Sequence, residues 1–276
     1  MSIAVDRTDI GPVAGSAIND VTALIGRHIR HLRRAPGRFL GIAMNPLVMM
    51  LVLGYLFKNF IVVPGSGNYQ EYILAGCLAQ VGLASIGPSA IGVASDLRSG
   101  LMDRLRSLPI SPASILLGRT LSDLLLAAVT AVVVAGVGLL LGWRVHTGLW
   151  SALAGFGLLL LFIYAMLWIG LLIGLVVSSL ETIDALGAVA VVLFSFLSSA
   201  FLSTSGLPAW IRPIAAWNPV NSVVTACRKL WGNPLPPAAG TLPAQQPVLV
   251  ALVTVGIVLA VVIPLGVRMF RTAASR

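Results

Sequence analysis

Residues 150–177, WSALAGFGLLLLFIYAMLWIGLLIGLVV, run for 28 positions without one Asp, Glu, Lys, Arg or His. As a helix this stretch is about 42 Å long at 1.5 Å per residue, more than enough for a hydrocarbon layer about 30 Å thick. Five other stretches, residues 39–57, 72–94, 121–142, 183–202 and 247–269, share this continuous apolarity. The alternating ten-residue pattern of a membrane β-barrel is absent from them, so the pattern predicts an all-α integral membrane protein with six transmembrane helices. Composition agrees. Of the 276 residues 58% are hydrophobic and 10% charged, and a mean hydropathy of +0.97 exceeds what a soluble core of this size hides.

Charge placement predicts the orientation. Thirteen of the eighteen Lys and Arg residues fall in the N-terminal segment, the second connection and the C-terminal segment, against five on the opposite side. The positive-inside bias then puts both termini in the cytoplasm of a multi-pass protein of the cytoplasmic membrane. The same bias accounts for the net charge of +9. No basic surface interleaved with aromatics points to nucleic acid. The first apolar run follows a cluster of arginines and is long enough to span, which predicts a retained helix rather than a cleaved leader. Cys77 and Cys227 form neither a disulfide framework nor a metal site, and His28 and His31 lack a third ligand.

Three segments outside the spans carry more information. Residues 1–19 read as a flexible cytoplasmic tail. Residues 20–36 follow with DVTALIGRHIRHLRRA at 20–35, where Val21, Leu24, Ile25, Ile29 and Leu32 share one face and Arg27, Arg30 and Arg34 the other. This is an interfacial amphipathic helix with guanidinium groups toward lipid phosphate. Residues 37–276 then form the membrane domain. Within it, SDLRSGLMDRLRSLPIS (95–111) places Leu97, Leu101, Leu105 and Leu108 on one face, ended by Pro109. Its charges are of both signs: Asp96, Arg98, Asp103, Arg104 and Arg106. Acidic residues weaken contact with anionic lipid, so the mixture fits a protein partner better than a membrane surface.

The other cytoplasmic loop, SSLETID (178–184), carries Glu181 and Asp184 and no base. It can pair with a partner's arginine or with the arginines already at that face. The longest outer connection, residues 203–246, holds Trp210, Trp217, Asn218, Pro219 and Trp231 between several prolines. Short re-entrant or interfacial helices before the last span fit this composition, and such a cap closes the outer mouth of a pathway. Inside the spans, Asn45 precedes the kink expected at Pro46, and Gln80 is a polar residue in an apolar run. Ordinary interhelical hydrogen bonding explains such residues, as for Tyr164 and Trp168, and a pathway contact is the alternative for Asn45 and Gln80.

No phosphate-binding loop of the form G-x-x-x-x-G-K-[ST], no G-x-S-x-G elbow and no catalytic or metal-binding cluster occurs. A many-span protein with a charged helix but no engine points to a membrane subunit driven by a separate one. At this point DLRSGLMDRLRSLPISPASILLGRTLSDLL (96–125) and WIRPIAAWNPVNSVVTACRKL (210–230) resemble type-2 ABC transporter permeases, in particular the daunorubicin-resistance-like drug-export group. The resemblance implies a non-enzymatic permease, paired as a homodimer or heterodimer and joined to two P-loop ATPase subunits that hold the ATP and Mg; this chain would bind no cofactor. It implies that residues 96–108 are the coupling helix, with Leu101 and Leu105 as buried anchors, Asp96, Arg98, Asp103, Arg104 and Arg106 as charged contacts and Pro109 as its stop. Drug export is the implied activity, with lipid or polysaccharide precursors as the alternative cargo. A secondary transporter needs midplane carboxylates and internal repeats, and Asp123, Glu181 and Asp184 all lie near span ends.

Overall fold

A computed structural model of the chain describes residues 36–57, 68–98, 112–235 and 240–273. Regular structure among the described residues is entirely helical. Helix α1 (Pro36–Leu51) carries Pro46 inside it and runs into a π-turn at Val52–Leu56. Helices α2 (Tyr69–Ala84) and α3 (Ile86–Arg98) form one bent rod, broken at Ser85. Pro88 lies four residues after Ala84 and has no N–H to give its carbonyl, which accounts for the bend. The Ser85 hydroxyl donates back to Val81 O at 2.7 Å and seals it. Then come α4 (Pro112–Leu140), α5 (Leu149–Val176), α6 (Leu180–Phe196), α7 (Arg212–Trp217), α8 (Pro219–Trp231), α9 (Leu242–Gln245) and α10 (Pro247–Ala273). The interfacial helix expected at 20–36, with Arg27, Arg30 and Arg34, lies outside the described residues except for Pro36, where α1 begins.

The long apolar run became α5, and its lack of a polar face has a simple cause: it is the hub. It packs against α2, α3, α4, α8 and α10, burying Leu158, Phe162, Ile163, Leu167, Trp168 and Leu171 on several sides. Its approach to α3 is set by two glycines one turn apart. A Cβ at Gly170 would stand 2.5 Å from Ile86 O, and one at Gly174 would stand 2.3 Å from Ala90 O. Small residues at this spacing let helix backbones meet where no hydrophobic effect drives association. On the outside of the bundle, Met44, Val132, Val189 and Ile257 are exposed apolar side chains whose solvent is lipid.

Among the described residues five helices reach the length and apolarity of a membrane span: Phe39–Leu56, Tyr69–Arg98, Leu116–Leu140, Leu149–Val176 and Pro247–Phe270. The fifth expected span, residues 183–202, falls short of this set. It is helical only as α6, 17 residues long, and residues 197–201 turn. Side chains from α8 capture the carbonyls that would have continued the helix. The Asn218 amide donates to Phe194 O at 3.0 Å and to Leu197 O at 2.8 Å. In helix α8, Val220, Ser222–Arg228 and Trp231 are all buried.

Candidate functional site

Two polar assemblies stand at opposite ends of the bundle. The first surrounds the base of the charged segment. Arg98, the last residue of α3, donates to Ser178 O in the link between α5 and α6. Asp96 pairs with Arg119 on α4, whose Nε lies 3.9 Å from Asp123 one turn further on. Three strands of chain are thereby fastened together: the end of α3, the first turns of α4 and the 177–179 link. The link passes directly into α6, which Ser179 caps by accepting from Thr182 N. Glu181 in the first turn of α6 and Asp184 just beyond it are exposed. Leu101, Asp103, Arg104, Leu105, Arg106 and Pro109 lie outside the described residues, between these fastened ends.

The second assembly is built around Arg228, which is 0% exposed. Its Nε donates to Tyr72 O at 2.8 Å, Nη1 to the Ser199 hydroxyl at 3.1 Å, and Nη2 to Ser199 O at 2.7 Å and Ala200 O at 3.1 Å. The guanidinium also stacks 3.6 Å above the Tyr72 ring. Among the described residues its partners are carbonyls, a hydroxyl and an aromatic face. Burial lowers its pKa from the ordinary arginine value, opposed first by Tyr72 and then by Tyr69. Arginine remains a cation inside proteins, and the free carbonyls after a helix C-terminus are a natural seat for one.

Neighbouring groups complete the grip on residues 197–201. The Asn221 Oδ1 accepts from Ser199 N at 2.9 Å, and the Tyr69 hydroxyl donates to Phe201 O at 3.0 Å. Gly76 makes room, since a Cβ there would stand 2.2 Å from Ala200 O. Nearby, Trp143 Nε1 donates to Asn233 Oδ1 at 2.8 Å and His146 meets Glu71 at 2.8 Å, tying the 141–148 connection to α8 and α2.

The structure divides the outer-gate candidates. Trp210 and Trp217 are 73% and 56% exposed. Asn218 is buried and caps α8 by accepting from Val220 N at 3.0 Å, with Pro219 in the first helical turn. The pathway candidates also separate: Asn45 is half-buried on α1, and Gln80 is buried in α2 with its Oε1 unpartnered among the described residues. The sequence reading missed Arg228, Ser199 and Arg119 as organising residues. It counted the two arginines only as loop charges. Among the described residues no group of His, Cys, Asp or Glu could hold a metal ion.

The charged fastening at one end and the buried polar cap at the other belong to a bundle whose helices are long and apolar enough to cross a membrane, which defines a multi-pass helical membrane protein. Residues 19–230 match the ABC-2 type transporter family, and the chain belongs to that family. It is similar to the daunorubicin resistance ABC transporter permease protein DrrB1 of Streptomyces coeruleorubidus, 26% identical over 260 residues, covering 94% of this chain and 89% of that protein. It is also similar to the probable doxorubicin resistance ABC transporter permease protein DrrC of Mycobacterium tuberculosis, 27% identical over 254 residues, covering 86% and 82% of the two chains. The chain is thus a membrane permease subunit of an ABC exporter.

Proposed function

We propose that this permease exports a hydrophobic drug or natural product across the cytoplasmic membrane. In this reading two permease chains join two P-loop ATPase subunits that bind ATP and Mg. Both termini lie on the cytoplasmic side, and α6 with its terminal turn makes the sixth crossing. At 17 residues it spans about 26 Å, at the lower end of what a crossing helix needs. Residues 99–111 are the docking element, with Leu101 and Leu105 as anchors and Asp103, Arg104 and Arg106 as charged contacts, stopped by Pro109.

The observation that carries the reading is the fastening of both flanks of that element. Asp96 and Arg98 are engaged within the chain, so they hold the base while residues 99–111 meet the ATPase. ATP-driven closure of the partner then displaces a stiff junction and biases the dimer from inward-open to outward-open. Arg104→Glu combined with Leu101→Asp tests this on co-expressed subunits. Membrane insertion should persist while co-purification with the ATPase and drug export are lost. Full-yield co-purification of that variant refutes the docking assignment.

A further inference from the structure

Helix α6 is fastened at both ends and lightly held between them. At one end Arg98 donates to Ser178 O, one residue ahead of the Ser179 cap. At the other, Arg228 and Asn218 hold the carbonyls of Phe194, Leu197, Ser199 and Ala200. Between the ends, the buried residues are Ile183, Gly187, Val191 and Ser195, a single stripe at intervals of four. Leu186, Val189, Val192, Leu193 and Phe196 face outward. Ile183 clusters with Ala90 and Ala94 of α3 near the first joint, and one turn further on the stripe is smooth. Gly187 meets Gly87 of α3, where a Cβ on Gly187 would lie 3.3 Å from the Gly87 Cα. Neither helix has a side chain there to interlock as ridge and groove do.

Strong ends and a smooth middle are the properties of a connecting rod. We propose that α6 carries displacement of the coupling end, as a rigid axial shift, to the polar cap at the opposite end, with Arg98 and Arg228 as the positioning residues that make the two joints. The proposal rests on the exporter reading above. A push on residues 99–111 moves Arg98 and the 177–179 link, α6 slides along its glycine contact, and the 197–201 turn drags Arg228 and α8. The exposed Trp210 and Trp217 precede α8 in the chain and lie at that receiving end. Helical hydrogen bonding along α6 makes it stiff enough to transmit the shift rather than absorb it.

The test uses the assembled permease–ATPase complex in lipid nanodiscs, with spin labels on exposed positions and α10 as reference. Leu186 paired with Leu265 reads the rod at its coupling end, and Ile214 on α7, beyond the Arg228 and Asn218 joint, paired with Leu252 reads the cap. Distances are measured without nucleotide and after vanadate trapping. Both pairs should shift together in the native complex. In Arg228→Lys, and in Asn218→Ser, which keeps an oxygen to cap α8 but removes both donors to α6, the near shift should remain and the far shift be lost. Asn218→Ser decides the matter should Arg228→Lys fail to fold. A native near shift with no far shift, or a far shift undiminished in Asn218→Ser, overturns the rod. So does a hydrolysing complex in which neither pair moves. Failure to assemble with any ATPase overturns the exporter reading, and the rod with it.

Discussion

Replacing Arg228 by Lys should harm this protein at least as much as replacing it by Met. The guanidinium makes four hydrogen bonds, to Tyr72 O, Ser199 O, Ser199 Oγ and Ala200 O. Tyr72 O sits inside α2 and keeps its helical partner, so losing the arginine costs little there. Ser199 O and Ala200 O lie beyond the end of α6 and become unsatisfied, at about 1–3 kcal/mol each. Met removes these bonds but also removes the charge and its burial penalty, leaving a net loss of about 2–3 kcal/mol. Lys keeps the buried charge, loses the planar stack on Tyr72 and cannot reproduce the fork, a loss of about 3–5 kcal/mol. At about 2–4 °C per kcal/mol, the Lys variant should melt on the order of 10 °C below the native protein. Cys77 and Cys227 are both free and buried, and burial pushes the Cys227 thiol up to about 12, so neither reacts until the fold opens. Heating with a fluorogenic maleimide, with labelling of each cysteine followed by mass spectrometry, therefore reads unfolding. A Lys variant that melts with the native protein, or above the Met variant, refutes the assignment of these bonds to the guanidinium.

Other perturbations separate packing from coupling. Gly174→Leu drives a side chain into Ala90 O and the Val93 Cβ, and should abolish a monodisperse peak on size-exclusion chromatography, whereas Gly157→Ala, with open space at its Cβ, should leave it intact. Arg119→Ala removes the partner of Asp96; drug export should fall while membrane insertion is kept, as read by drug accumulation in cells against the membrane-fraction yield. His146→Ala breaks a contact to Glu71 at a side chain 51% exposed, and should change the melting temperature by no more than about 2 °C, because such pairs contribute little in high dielectric.

The sequence makes the membrane class legible because lipid imposes one-dimensional requirements: length and apolarity, both readable along the chain. Residues 150–177 announce α5 for that reason, and the pair Gly170 and Gly174, one turn apart, was available as a signal for its contact with α3. The ends of spans are less legible, since they are decided by side chains distant in sequence. Nothing within residues 183–202 says that the helix stops at Phe196. Asn218 and Arg228 stop it, from 22 and more positions away.

Arg228 shows the limit most clearly. Counted by charge it is a loop cation beside Lys229, and the count of positive residues by side tolerates that error. Its helical context holds the correction. On α8, Asn218, Asn221, Ser222, Thr225 and Arg228 recur at spacings of three and four, forming a polar stripe, while Val220, Val223, Val224, Cys227 and Trp231 take other faces. A stripe of amides and hydroxyls ending in arginine, inside a chain this apolar, calls for buried carbonyls as partners, because lipid satisfies none of its donors and the packed interior excludes the water that would. The broken end of α6 supplies them. The missing length of the fifth expected span and the hidden position of Arg228 are therefore one structural fact: the helix stops where the arginine needs its carbonyls.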